Sequence, residues 1–201
     1  MIDGLDVSRE TFDKLQQLHA LLLKWNPVIN LVSKSTLSDS WERHVLDSLQ
    51  VFDQGPESVE NWLDLGSGGG FPGLVVAILG TEGGRNLDVT MIESDQRKCQ
   101  FLRTVLRETG SKGTVLNERI ELSKPQHADV ISARAVADLA TLFGFAERHL
   151  ADDGICLFPK GITWQKEITK AQESWSFEYE AIRSKIEPNA VILKVGDIRR
   201  V

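Results

Sequence analysis

Along the first part of the chain, Phe12, Leu15, Leu18, Leu22 and Trp25 recur every three or four positions. That spacing predicts a helix with one buried face, and Ser8 stands where its N-cap belongs. Pro27 predicts the end of the helix, because the residue before a proline is pushed out of helical geometry. After a link over 28–38, Asp39 and Glu42 resemble a capping box. They open a second helix with Trp41, Val45, Leu49 and Phe52 as its stripe. From Asn61 onward short apolar runs alternate with amphipathic stretches. Strands are predicted at 62–65, 88–93, 114–116, 129–132 and 155–158, and helices at 73–79, 96–109, 137–150 and 164–174. Two further extended runs, 177–186 and 190–195, flank Glu187-Pro188-Asn189 and read as a terminal hairpin.

Strands alternating with helices imply a mostly parallel sheet with right-handed crossovers and helices on both faces. The predicted fold is therefore α/β and Rossmann-like, with seven strands including the hairpin. An N-terminal helical extension (1–60) packs on one globular unit (61–201).

The 201 residues suffice for one domain with a substantial core. The longest purely aliphatic run, Leu74 to Leu79, falls far short of the roughly 20 residues that span a bilayer. The segment Met1 to Asp6 has neither the basic nor the apolar part of a secretory leader. A soluble cytoplasmic protein without membrane partners is expected. Cys99 and Cys156 form no CxxC pair, and His19, His44, His127 and His149 show no HxxxH or HExxH spacing, so no metal is expected. A net charge of −6 argues against non-specific coating of nucleic acid. Local basic groups remain, namely Arg97, Lys98, Arg103, Arg107 and Lys112, and further on Arg183, Lys185, Arg199 and Arg200.

The most informative segment is Asp64-Leu65-Gly66-Ser67-Gly68-Gly69-Gly70-Phe71-Pro72-Gly73, which follows a predicted strand and opens a predicted helix. Glycines there let the backbone turn sharply and approach a ligand, and the helix N-terminus offers free N–H groups. Two frames compete. Asp64 with Gly66, Gly68 and Gly70 reads DxGxGxG; Gly68, Gly70 and Gly73 read GxGxxG, the dinucleotide fingerprint. A strand-end carboxylate would face the cationic methionyl part of S-adenosylmethionine and repel a pyrophosphate. The first frame is favoured over a nicotinamide enzyme, and over a loop that serves only as a tight turn. Glu93 closes the second strand where an acid holds ribose hydroxyls, or else caps the helix that follows.

The chain resembles the bacterial 16S rRNA guanine-N7 methyltransferases, the glucose-inhibited division protein B family. The residues that carry the likeness are Lys24-Trp25-Asn26, Asn30-Leu31, Arg43-His44-Val45-Leu46-Asp47-Ser48 and the loop Gly66 to Gly73. Glu93-Ser94, the run Ser132 to Ala137 and Lys160-Gly161 complete it. The resemblance implies a class I methyltransferase that takes its methyl group from S-adenosylmethionine. Its partner would be 16S rRNA or the small ribosomal subunit, and its target N7 of one guanine, position 527 in usual rRNA numbering. It also implies cofactor contacts at Gly66, Phe71, Ile120, Glu121 and Arg134, beside the Asp64, Gly68, Gly70 and Glu93 read from the loop and strand ends.

N7 of guanine already carries a lone pair, so its methylation needs orientation rather than a base. Consistent with that, Ile131-Ser132-Ala133-Arg134 stands where amino-group methyltransferases carry an NPPY-type segment, and no Pro-Cys pair offers covalent attack on a pyrimidine. Arg134, Lys160 and His44 are the candidates near the reacting base. Arg134 would hold the cofactor or guanine O6, since a donor on N7 would block the nucleophile. Lys160 is expected to bind phosphate. His44 and Asp47, three apart on one helical face, serve either the site or the packing of the extension. A non-catalytic assembly factor remains a rival that keeps the fold without turnover.

Overall fold

The computed structural model describes residues 6–82 and 86–201. Met1 to Leu5, on which the reading of a leader rested in part, lie outside the described residues.

The predicted helix is α1 (Arg9–Ile29), and Ser8 caps it through Thr11 N–H. Pro27 does not end it. The helix runs two residues further, so the expectation of a stop there is corrected. Near the C-terminus of the helix a proline removes only one ladder bond, the one to the carbonyl of Leu23, an exposed residue. Packing meanwhile rewards continuation, because Leu22, Asn26 and Ile29 stay on the buried face. The true stop is Asn30, which adopts left-handed geometry and donates its N–H to Asn26 O. Asn26 Oδ1 then accepts from Val32 N–H at 2.8 Å and fixes the exit of the chain.

The second helix also departs from expectation. The Asp39–Glu42 capping box does not form. Ser40 precedes the helix without a side-chain cap, and Trp41–Leu46 is a π-helical stretch that runs into α2 (Asp47–Phe52). Ser48 Oγ donates to His44 O at 2.6 Å and helps satisfy the widened turn. Such π turns recur at functional sites.

The remaining strands are β1 (Asn61–Leu65), β2 (Asp88–Ile92), β3 (Thr114–Leu116), β4 (Ala128–Ala133), β5 (Leu150–Lys160), β6 (Trp175–Arg183) and β7 (Val191–Arg200). The helices are α3 (Gly73–Leu79), α4 (Gln96–Thr109), α5 (Leu139–His149) and α6 (Trp164–Ala171). They build one seven-stranded sheet in the order β3-β2-β1-β4-β5-β7-β6. The first five strands are parallel; β7 pairs antiparallel with β6, as the hairpin reading predicts, and antiparallel with β5 as well.

Side chains along β1 alternate between two cores. Trp62 joins Leu15, Leu22, Leu74 and Phe101 on the face covered by α1, α3 and α4. Leu63 and Leu65 join Leu142, Phe143 and Ile168 on the face covered by α5 and α6. Each fully buried leucine or phenylalanine contributes about 1.5–3 kcal/mol.

Strand order reverses between β1 and β4, which pair as Asp64↔Ser132 and Leu65↔Ala133. On the other side Leu65 pairs with Ile92. Three strand ends therefore deliver the glycine loop, Arg134 and Glu93 to one edge, the switch point where open α/β sheets bind ligands.

Candidate functional site

The loop after β1 reverses direction through three positive backbone angles, φ 60° at Gly66, 53° at Gly68 and 86° at Gly70. At Gly66 a Cβ would stand 2.8 Å from Val136 Cγ2, and at Gly70 it would overlap Leu74. Glycine is required at both, since an L side chain meets backbone strain and a neighbour together. Glu93 ties the loop to β2. Its Oε2 accepts from Gly68 N–H at 2.9 Å and its Oε1 from Asp95 N–H at 2.8 Å. The N-cap of α4 is Asp95, not Glu93, because Asp95 accepts from Arg97 and Lys98 N–H. The peptide between Phe71 and Pro72 is cis.

Asp64 lies beneath this loop and is only 1% exposed. Trp62 Nε1 donates to Ser132 Oγ at 2.9 Å, and Ser132 Oγ donates to Asp64 Oδ1 at 2.7 Å. Oδ2 rests against Gly73, where a Cβ would come within 2.6 Å, and among the described residues it has no hydrogen bond of ordinary geometry. Burial pushes the Asp64 carboxyl up to about 6, against the opposing pull of Ser132 and Ser67. Asp64 lines neither of the two cavities that open at this edge. Its observed contacts brace the start of the loop.

Two cavities meet at this edge, and Gly66 and Ala137 line both. The smaller, about 240 Å³, is walled by Glu93, Ile120, Glu121 and Phe145. Its far wall is held by the end of α5. His149, fully buried, faces Ile120 O through Nε2 at 3.0 Å, and Arg148 donates twice to Ser123 O at 3.0 and 2.7 Å. A carbonyl can only accept, so Nε2 of His149 carries the proton, and among the described residues Nδ1 is left buried without a partner. Glu121 is ion-paired at the surface with Arg119.

The larger cavity, about 590 Å³, opens beyond the loop. Phe71 forms part of it, stacked on His44 with ring centroids 5.2 Å apart and lying under the Arg134 guanidinium at 5.3 Å. His44 reaches Thr36 Oγ1 at 3.1 Å. Burial, reinforced by the nearby Arg134 charge, drives its imidazole down to about 3. Arg134 donates to Arg43 O at 3.1 Å. Burial lowers its pKa while Asp47 and Asp64 pull it back. Asp47 is raised by burial, opposed by Arg134, and accepts from Ser184 Oγ at 3.2 Å. Arg43 pairs with Glu187 at 2.9 Å and joins the π-helical turn to the β6–β7 hairpin.

Lys160 also lines this cavity, but its ammonium is committed. It donates to Ala137 O at 3.1 Å and pairs with Glu167 at 2.8 Å, and its side chain is only 9% exposed. Glu167 in turn accepts from Leu139 N–H. The observed contacts make Lys160 a brace for the turn between β4 and α5. In that turn Ala135 sits at φ 56°, a strained angle for a residue with a side chain, on the cavity wall.

The model of the family described as GidB, rRNA small subunit methyltransferase G, matches residues 11–189. The chain belongs to this family. A relative from Ruegeria sp. (strain TM1040), named ribosomal RNA small subunit methyltransferase G, is 53% identical over 197 residues, covering 98% of this chain and 96% of the relative. Among solved structures the fold is similar to ribosomal protein L11 methylase from Lactobacillus delbrueckii subsp. bulgaricus, with TM-score 0.62 and 14% identity over 77% of this chain and 78% of that one. It is likewise similar to M. jannaschii TYW2 in complex with AdoMet, with TM-score 0.56 and 14% identity over 79% and 76%. At such identities these two establish the class I methyltransferase fold.

Of the residues singled out from the sequence, Gly66, Gly68, Phe71, Arg134, His44 and Lys160 gather at the larger cavity. Glu93, Ile120 and Glu121 gather at the smaller one. Asp64 and Gly70 lie behind the loop on neither wall. Sequence reasoning missed Ser132, the relay between Trp62 and Asp64, and the His149 clamp on Ile120. Both are long-range contacts between residue types that carry no local signal.

Proposed function

We propose that the chain transfers a methyl group from S-adenosylmethionine to N7 of a single guanine in 16S rRNA of the small ribosomal subunit. Family membership supports the reaction class. The observation that carries the guanine-N7 reading is that, beside the donor-binding edge of the larger cavity, the imidazole of His44 is driven down to about 3 and Lys160 is held in an ion pair with Glu167, so neither is poised to take a proton.

The residues fit the methyl donor. The loop backbone at Gly66 and Gly68 has no Cβ to obstruct an approaching ligand. The two cavities meeting at Gly66 match a molecule with an adenosine end and an amino-acid end. Glu93, Ile120 and Glu121 would hold the adenosine part; Gly66, Gly68 and Phe71 would hold the methionyl part, with Asp64 and Gly70 shaping the loop from behind. Arg134, whose guanidinium carries five donors and spends one on Arg43 O, would be shared between the methionyl part and the base. When bound, the sulfonium supplies an electrophilic methyl carbon.

The chain's own residues then orient and exclude water. His44, with its imidazole near 3, stays neutral in the physiological range and is too weak a base to take a proton from an amino group. Lys160 is ion-paired. Phe71, buried with His44 stacked on it and the Arg134 guanidinium over its ring, fixes both side chains at the cavity. Holding the reactants in line supplies up to about 7–11 kcal/mol of barrier lowering in favourable cases. No described helix is long and apolar enough to cross a membrane, and an rRNA substrate places the reaction in the cytoplasm.

Unmodified small subunits and naked 16S rRNA, incubated with methyl-labelled S-adenosylmethionine, test this. Label recovered as 7-methylguanosine at one position supports it. Label on adenine, or spread over many guanines, refutes it.

A further inference from the structure

The larger cavity holds a carboxylate and a guanidinium with hydrogen-bonding capacity to spare. Asp47, at the first turn of α2, commits Oδ1 to Ser184, while Oδ2 has no hydrogen-bond partner among the described residues. Arg134 uses one donor on Arg43 O. The two do not neutralise each other directly. Among the described residues no nitrogen–oxygen contact within 4.0 Å joins them, and the nearby Glu187 is taken by Arg43. Both are half-buried on the cavity wall, so the unused acceptor and donors stand at the space a ligand would enter.

An acceptor beside a donor matches one purine and opposes the other. The Watson–Crick edge of guanine presents an acceptor at O6 and donors at N1 and the N2 amino group. Adenine presents a donor at N6 and an acceptor at N1, so Asp47 would face a lone pair and Arg134 an amino group. Resting on the functional reading above, we propose that Asp47 is the residue that reads the target base as guanine, accepting hydrogen bonds from N1–H and the N2 amino group while Arg134 meets O6. N7 stands apart from N1 and N2 on the purine, so this grip leaves its lone pair free.

The same contact favours the reaction. The N7 lone pair forms the new bond to the methyl carbon, and the carbon–sulfur bond breaks with its electron pair left on sulfur. Positive charge thereby passes from the sulfonium to the purine, and no proton need leave. N1–H becomes more acidic as that charge grows, so its hydrogen bond to Asp47 tightens in the transition state. Binding that strengthens in the transition state is what raises a rate.

The test uses the full-length enzyme and small subunits carrying guanine or inosine at the methylated position. Inosine keeps N7, O6 and N1–H but lacks the N2 amino group. A hydrogen bond to a charged group predicts that the wild type loses about 10- to 100-fold in kcat/KM on inosine. In Asp47→Asn guanine itself should lose at least about tenfold and the guanine-to-inosine ratio should shrink below about threefold, with calorimetric affinity for S-adenosylmethionine unchanged. An undiminished ratio in the variant overturns the proposal. So does cofactor affinity lost with the ratio intact, which would assign the carboxylate to the methionyl ammonium. Should the variant fail to fold, the wild type decides alone, and an inosine penalty below threefold refutes the assignment. Failure of the wild type to label any guanine in natural subunits would instead defeat the functional reading.

Discussion

Gly66→Ala is the smallest change that probes the shared wall of the two cavities. The added methyl group meets two separate penalties. At φ 60° an L side chain costs about 1–2 kcal/mol. The Cβ also lands 2.8 and 3.1 Å from the two γ-carbons of Val136, and overpacking of that kind costs about 1–3 kcal/mol. The sum is about 2–5 kcal/mol. Only the second part involves Val136, so the two parts separate in a double-mutant cycle. Val136→Ala alone removes two half-buried carbons and costs about 1 kcal/mol. In Gly66→Ala/Val136→Ala the clash disappears and the backbone strain remains. The double variant should then be at least about 1 kcal/mol more stable than the sum of the singles predicts. Urea unfolding of the four proteins measures the stability terms, and calorimetric titration with S-adenosylmethionine measures the pocket. Affinity should fall at least about tenfold in Gly66→Ala, equivalent to about 1.4 kcal/mol. Strict additivity, or a Gly66→Ala variant within about 0.5 kcal/mol of wild type, would refute the geometry drawn for this wall.

Other perturbations follow the same logic. His44, held near 3 by burial, should remain neutral in NMR titration down to about pH 4, and a midpoint above 6 contradicts its environment. The unfolded chain protonates His44 near 6.5 while the folded one does not until about 3, so stability falls as pH drops through that window; His44→Gln should lessen the loss. Asp64 acts in the opposite sense. Its folded carboxyl takes a proton near 6 and its unfolded one near 3.8, so between those values acid favours the fold, by up to about 3 kcal/mol; Asp64→Asn should remove that counterweight in urea titrations across pH 4–6.5. Lys160→Ala leaves Glu167 without its partner and should cost about 3 kcal/mol, with Glu167→Gln destabilising in parallel. Unchanged stability with lost RNA methylation would return Lys160 to a phosphate-binding role. Loss of the His149 clamp in His149→Ala should raise KM for S-adenosylmethionine several-fold and leave kcat within about twofold, because the clamp shapes only the smaller cavity.

Periodicity and glycine placement made the sheet legible. Strand β1, the loop at 66–70 and the turn of the hairpin depend on near neighbours in sequence and stand where the pattern put them, whereas the hairpin strands, expected at 177–186 and 190–195, run over Trp175–Arg183 and Val191–Arg200. What could not be read depends on distant partners. Pro27 carries a local stop signal, but the buried positions Asn26 and Ile29 on either side hold the helix together. Asp39 and Glu42 spell a cap, yet the chain enters a π-helical turn there that lets His44 stack on Phe71. Lys160 stands at a strand end as an anion-binding lysine would, and only the fold shows Glu167 already beside it. Glu93 stands at the end of β2 on the cavity as the pattern placed it, but the helix after it is capped by Asp95, while Glu93 fastens Gly68 and Asp95 instead. Asp64 stands at the end of β1 as read, but its carboxylate turns inward to Ser132 and lines neither cavity, so the expectation that it faces the methionyl part is corrected.

A crystal structure with S-adenosylhomocysteine tests the central claim, that the glycine loop seats the methyl donor across two joined cavities. The account predicts the adenosine part between Glu93 and Ile120, the amino-acid part beyond Gly66 toward Arg134, and the sulfur facing the space bounded by Phe71 and Asp47. A ligand bound away from the loop, or lying wholly within one cavity, would contradict it.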